Sequence, residues 1–250
     1  SRRPERLTVS SPARSGRGLV HGSAPEAPQP RRRSYGRRMI PGIARTLPDV
    51  TASAAPSAGD DLVRCPWAGA AADYRRYHDE EWGVPLHGDR AVFEKLSLEA
   101  FQSGLSWITI LRRREGFRAA FAGFDPAAVA AFDDADRERL LADTGIIRNR
   151  LKIDATIANA RALLALEEAD GPDALDRLLW SFAPEPRPES ARPARLGDVP
   201  ATTPESTALA KALRAAGFRF VGPTTVYALM QSGGLVDDHL VGCWRAGAPA

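Results

Sequence analysis

Cysteine is scarce. Only Cys65 and Cys243 occur in 250 residues, too few for a disulfide-stapled fold. Long apolar runs are missing: no window of 18 apolar residues occurs, so no transmembrane helix is expected. Most of the chain also lacks an excess of positive charge. Eleven arginines against four acids give residues 1–60 a charge of +7, so the whole-chain +3 leaves residues 61–250 at −4. The basic pI belongs to the leader, and the body offers no bulk-charge argument for nucleic acid. What is present is a 44% hydrophobic composition, normal for a globular protein, at a length that fits one or two domains.

Residues 1–60 are rich in Arg, Pro, Ser, Gly and Ala, without apolar periodicity. Such a stretch cannot bury enough surface to offset its chain entropy, and a disordered basic tail is expected. Arg31–Arg33 with Arg37 and Arg38 could touch phosphates, or form a solvated leader. No apolar core of a secretory signal precedes them, so a cytoplasmic protein is expected. From Asp61 the periodicity is helical, and residues 61–250 are expected to form a single, mostly α domain. Asp89 opens a helix over about 90–103, ended by Gly104. Ser106 caps one running through Arg112–Arg114. Asp125-Pro126 and Asp133 or Asp134 start two more, and a long one spans about Asn149–Glu168. Six prolines mark 184–204 as a loop. Thr203-Pro204 and Gly222-Pro223 open the last helices, ended by Gly217 and Gly233-Gly234.

Each cysteine has a histidine nearby. His78 follows Cys65 with twelve residues between, and His239 precedes Cys243 with three. A His and a Cys four apart share one side of a helical turn. Two thiolates and two imidazoles complete a closed tetrahedral zinc shell, which is structural because no position is left for water. The other reading is two unrelated buried thiols and two ordinary histidines.

In the helix 90–103, Val92, Leu96, Glu99 and Ser103 form one row. The first two mark it as the buried side, so Glu99 points inward. A buried carboxylate is costly unless paired, and functional sites tolerate such costs. A helix-edge Glu reaching water or an Arg is the alternative. Trp107 lies eight residues on, Tyr77 precedes His78, and Trp67 and Trp82 flank the same segment. A carboxylate among aromatics suits a flat, cationic or hydrogen-bonding ring, although any one of these aromatics could be plain core.

Residues 144–150 read Thr-Gly-Ile-Ile-Arg-Asn-Arg between two helices. Such a glycine hairpin exposes backbone N–H groups that can hold a DNA phosphate, with Arg148, Arg150 and Lys152 in support. A plain corner with solvated basic residues is the other reading.

Together these strings resemble the DNA-3-methyladenine glycosylase I family, a zinc-containing branch of the helix-hairpin-helix glycosylases. The resemblance runs from Cys65-Pro-Trp67 and Tyr77 through Pro85, past Glu99 and Gly104 through Thr109, Gly145 through Arg148, Lys152-Ile153, Asn159-Ala160, Trp180 through Phe182 and Gly217 through Gly222, to Val236 through His239 with Cys243. It implies an all-α, helix-hairpin-helix glycosylase-like domain. It implies one structural zinc ion on Cys65, His78, His239 and Cys243, joining the two ends of the domain. It implies that Glu99 and Tyr77 hydrogen-bond a flipped base, that Trp107 stacks on it with Trp67 nearby, and that the hairpin at Gly145, Ile146, Arg148 and Lys152 holds the backbone of double-stranded DNA.

The implied reaction is hydrolysis of 3-methyladenine from alkylated DNA by a monomeric enzyme. Relatives that also cut the backbone use a lysine, and the pocket strings contain none, so a monofunctional enzyme is expected. One departure stands out: Val236-Asp237-Asp238-His239 places Asp237 where the wider superfamily carries a catalytic Asp. Either Asp237 is catalytic, or Asp237 or Asp238 caps the turn before His239. The rival functions are a non-enzymatic DNA-binding module, a zinc hydrolase, and a glycosylase for another alkylated base.

Overall fold

A computed structural model describes residues 61–247, so the leader expected to be disordered lies outside the described residues. Among those described, ten α-helices carry the fold and no strand occurs. They are α1 (Ala72–Glu80), α2 (Asp89–Gln102), α3 (Trp107–Leu111), α4 (Arg114–Ala120), α5 (Pro126–Ala130), α6 (Asp134–Ala142), α7 (Arg150–Asp170), α8 (Ala174–Trp180), α9 (Pro204–Ala215) and α10 (Pro223–Ser232). None is long and apolar enough to cross a membrane.

The expected capping chemistry starts several of these helices. The Asp125 carboxylate accepts from Ala128 N at 2.9 Å to open α5. Asp133 forms a reciprocal capping box with Asp136 at α6, and Asn149 Oδ1 accepts from Lys152 N at 3.1 Å at α7. Each satisfies an otherwise orphaned backbone N–H. Proline occupies the first position of α5, α9 and α10, where its missing N–H costs nothing.

The helix expected to run through Arg112–Arg114 is instead broken in two. Arg113 sits at φ −106°, ψ 3°, and the break lets α4 lay Gly116 against the hairpin that joins α6 to α7. A Cβ at Gly116 would lie 2.7 Å from the Gly145 carbonyl oxygen, so backbone packs on backbone there. Helices α1 and α8 add to the expected set. The loop expected over 184–204 runs to Thr203, just before α9 begins, and carries only two single 3-10 turns.

Helix α2 runs through the core. Val92, Phe93, Leu96, Leu98 and Phe101 are at most 1% exposed. Across from them lie Ile153, Ile157, Ala160 and Leu163 of α7 and Val226, Leu229 and Met230 of α10. Phe101, Phe117, Phe121 and Phe124 form a continuous ring cluster. Each such side chain contributes about 1.5–3 kcal/mol by burial.

After α10 the chain forms turns and extended backbone rather than a further helix. Gly234, at φ +76°, makes the return possible: a Cβ there would sit 2.6 Å from Pro85 N. That close pass brings the end of the domain back to the segment that follows α1.

Candidate functional site

Four donors converge where the two ends meet. Cys65 stands just before a 3-10 turn (Pro66–Ala68), His78 lies in the last turn of α1, and His239 and Cys243 lie in the turns after α10. The expected helical spacing of the last pair is not helical, yet their donor atoms meet. Cys243 Sγ is 3.4 Å from His78 Nε2 and 3.5 Å from His239 Nδ1, and Cys65 Sγ is 3.7 Å from His239 Nδ1. Zinc bonds of about 2.3 Å to sulfur and 2.0 Å to nitrogen at tetrahedral angles require S···N separations of about 3.5 Å. All four residues are buried, with donors within 4.8 Å of one another, so the set fits a metal ion.

The supporting groups fit as well. His78 Nδ1 is 2.8 Å from Asp79 Oδ1 and His239 Nε2 is 3.3 Å from the Trp82 carbonyl, the outer contacts that orient ligand imidazoles. Burial pushes Asp79 up, but hydrogen bonds from Arg64, His78 and Trp244 outweigh it and hold its carboxyl at about 2. Burial also pushes the Cys65 thiol up to about 12 and His239 down to about 4. A cation among them would offset the cost of buried thiolate.

Beside this cluster opens a cavity of about 350 Å³, walled by Trp67, Tyr74, Tyr77, Trp82, Trp107 and Tyr227 among others. Trp67 organises the wall, with ring centroids 5.2 Å from Tyr74, 6.3 Å from Tyr77 and 5.1 Å from Trp82. Tyr77 lies 5.3 Å from Trp107. The indole N–H of Trp107 is buried without a hydrogen-bond partner, a free donor inside the site.

Glu99 is 4% exposed and faces inward as its row on α2 requires. It accepts a hydrogen bond from Ser232 Oγ of α10 at 2.9 Å. Burial raises its carboxyl above the ordinary range, opposed by Lys95 and Ser232. The quoted strings hold no lysine, but from outside them the structure brings Lys95 of α2 against Glu99. Lys95 Nζ lies 3.6 Å from Glu99 Oε1, donates to Tyr77 Oη at 2.7 Å, and covers the Tyr77 and Trp107 rings. Lys95 precedes Glu99 by four positions, a face-sharing signal already present in the sequence.

Asp237 does not line this cavity. Its carboxylate accepts from His239 N at 3.1 Å, Gly247 N at 2.9 Å and Arg192 Nη1 at 2.8 Å, which fixes the turn before His239. The carboxylate on the cavity wall is Asp238, 2% exposed and bound by Tyr227 Oη, Gln231 Nε2 and Arg187 Nη1. Sequence reasoning missed it because the two aspartates are adjacent and only the turn decides which one faces inward.

The hairpin residues divide. Gly145 packs on Gly116, and Gly145 N donates to Asp143 Oδ1 at 2.7 Å. The Ile146 side chain is buried in the core. Arg148 is exposed. Lys152, expected among the phosphate contacts, is instead buried, and its ammonium donates to the carbonyls of Phe101 at 2.8 Å and Ser103 at 2.6 Å. It stands at the C-terminal end of α2, where a cation meets the dipole and the orphaned carbonyls. Of the arginines 112–114, Arg112 pairs with Asp73 and Arg114 with Glu81.

Comparison with known proteins follows the same outline. The methyladenine glycosylase family profile matches residues 67–246. DNA-3-methyladenine glycosylase 1 of Escherichia coli (strain K12) is 48% identical over 182 residues, 73% of this chain and 96% of that protein. A crystal structure of 3-methyladenine DNA glycosylase I superposes with a TM-score of 0.69 at 49% identity, over 74% of this chain and all of the other. A variant of 3-methyladenine DNA glycosylase I in complex with 3-methyladenine superposes with a TM-score of 0.67 at 34% identity, over 72% of this chain and 96% of the other.

Proposed function

The chain belongs to the methyladenine glycosylase family, and from that premise we propose that it hydrolyses the N-glycosidic bond of 3-methyladenine in alkylated double-stranded DNA, as a monofunctional and monomeric repair enzyme. The observation that carries the reading is Glu99, a carboxylate 4% exposed and placed behind two aromatic rings that border a base-sized cavity. A relative in complex with 3-methyladenine supports the ligand class.

Methylation at N3 leaves the base cationic and a good leaving group. The enzyme's task is to extract it from the stack and hold it. Trp107 and Tyr77, with Trp67 beside them, offer ring faces to the cation. Glu99 supplies an acceptor and negative charge, which favours the cationic base over neutral adenine. The C1′–N9 bond breaks with its electron pair going to the base. Water then adds to C1′ and loses a proton, leaving free 3-methyladenine and an abasic site.

Residues 61–250 act as one helix-hairpin-helix glycosylase domain. One structural zinc ion is held by Cys65, His78, His239 and Cys243. With four protein donors it leaves no place for an activated water, which argues against a zinc hydrolase; its contribution is to tie the domain's ends together. The hairpin at Gly145 and Ile146, with Arg148 exposed, holds the DNA backbone. Asp237 shapes the turn that carries His239 and takes no part in the chemistry.

The test is release of bases from methylated duplex DNA, separated by chromatography, by the wild type and Glu99→Gln. Release of 3-methyladenine, reduced at least tenfold in the variant, supports the reading. No release by folded wild type rejects it in favour of a DNA-binding module.

A further inference from the structure

The ammonium of Lys95 lies 4.2 Å from the centroid of Trp107 and 4.8 Å from that of Tyr77. It donates to Tyr77 Oη at 2.7 Å and stands 3.6 Å from Glu99 Oε1. These are the partners that the proposed function assigns to the flipped base. Glu99 itself is not on the cavity wall, whereas Tyr77 and Trp107 are. Lys95 is not on that wall either; its head touches both rings and the carboxylate, the three groups assigned to the base.

A cationic base and this ammonium cannot share the place. Two like charges about 4 Å apart in a site shielded from water repel strongly. We propose that Lys95 is a resident cation occupying the base subsite of the free enzyme, and that the alkylated base enters by displacing its ammonium toward solvent. The inference rests on the base-pocket reading above. The side chain is already 13% exposed.

Displacement makes Lys95 a specificity residue. Once the ammonium leaves, Glu99 is a buried charge without its counter-ion, which is strongly unfavourable. A neutral base covers the two rings but leaves that cost standing. A cationic base covers the rings and restores the pair. The resident lysine thus raises the threshold that undamaged adenine must pass, at the expense of affinity for the damaged base.

The experiment reads Lys95 in the wild-type protein. Reductive methylation with formaldehyde and a borane, mapped by mass spectrometry, is compared with and without saturating free 3-methyladenine at mildly acidic pH, with Lys211 of α9 as the internal reference. Labelling of Lys95 rises several-fold with the base bound if its head is expelled; unchanged or reduced labelling at saturation overturns the proposal while leaving the glycosylase reading intact. In parallel, Lys95→Met binds 3-methyladenine about tenfold more tightly and releases more unmodified adenine from DNA. Equal or weaker binding by the folded variant overturns the proposal. A wild type that neither binds 3-methyladenine nor releases it from methylated DNA rejects the base-pocket reading itself, and this inference with it.

Discussion

The indole of Trp82 stands nearly perpendicular to the imidazole of His239, their ring centroids 4.6 Å apart. One belongs to the wall of the cavity and the other to the four-donor cluster. Trp67 repeats the link from the other side, 5.1 Å from His78 and 5.1 Å from Trp82. The cluster therefore braces the wall directly.

Removing the proposed zinc ion should then cost stability and activity together. Chelation at neutral pH, or Cys243→Ser, is expected to lower the melting temperature by at least 10 °C, since structural zinc contributes folding free energy outright. Base release should fall in proportion to the unfolded fraction and recover on adding zinc. Calorimetry with metal analysis checks this; an unchanged melting temperature after complete metal loss would contradict the structural role.

Lys152→Met should behave as a stability mutant. Its ammonium satisfies the carbonyls of Phe101 and Ser103. Charge-assisted hydrogen bonds of this kind contribute about 1.5–3 kcal/mol each, so an unfolding free energy lower by about 2 kcal/mol or more is expected. The salt dependence of DNA binding should stay as in the wild type, because the group does not reach a phosphate. Urea denaturation and a salt titration separate the two effects.

Arg148→Ala should do the reverse. Its side chain is exposed beside the hairpin, so melting should hold within the error of the measurement. Affinity for duplex DNA should drop similarly for all sequences, with the slope of log K against log salt reduced by about one. An unaltered slope would remove Arg148 from the DNA contacts.

The pH profile should carry the mark of Glu99. Burial raises its carboxyl above the ordinary range, with Lys95 and Ser232 opposing. Charge-based capture of the base needs the ionised form. Base release should thus fall with acidification at a pH above that of a surface carboxylate, about 4.3, and Glu99→Gln should lose that limb along with its rate. Stability runs the other way. The fold holds the Glu99 proton more tightly than the unfolded chain, so this group's contribution is full at low pH and is lost as pH rises through the raised value.

Much of the helical frame was legible because its punctuation is local. Asp125, Asp133, Asn149 and Thr203 cap helices by contacts within three residues. The inward turn of Glu99 followed from its row with Val92 and Leu96. The break at Arg113 was not legible, because it answers to a backbone contact between Gly116 and Gly145 that sequence spacing does not encode. Lys152 misled for a related reason. A lysine in a basic hairpin reads as a phosphate ligand until the carbonyl end of another helix comes within reach. The choice between Asp237 and Asp238 depends on one turn, and the approach of Lys95 to the Tyr77 and Trp107 rings depends on how far a four-carbon stem can fold back.

The Lys152 contact ties α7, which the hairpin launches, to the end of α2, three residues beyond Glu99. The hairpin proposed to hold DNA and the helix that carries Glu99 are thereby pinned to each other by one buried ammonium, a clasp whose loss would let the two drift apart.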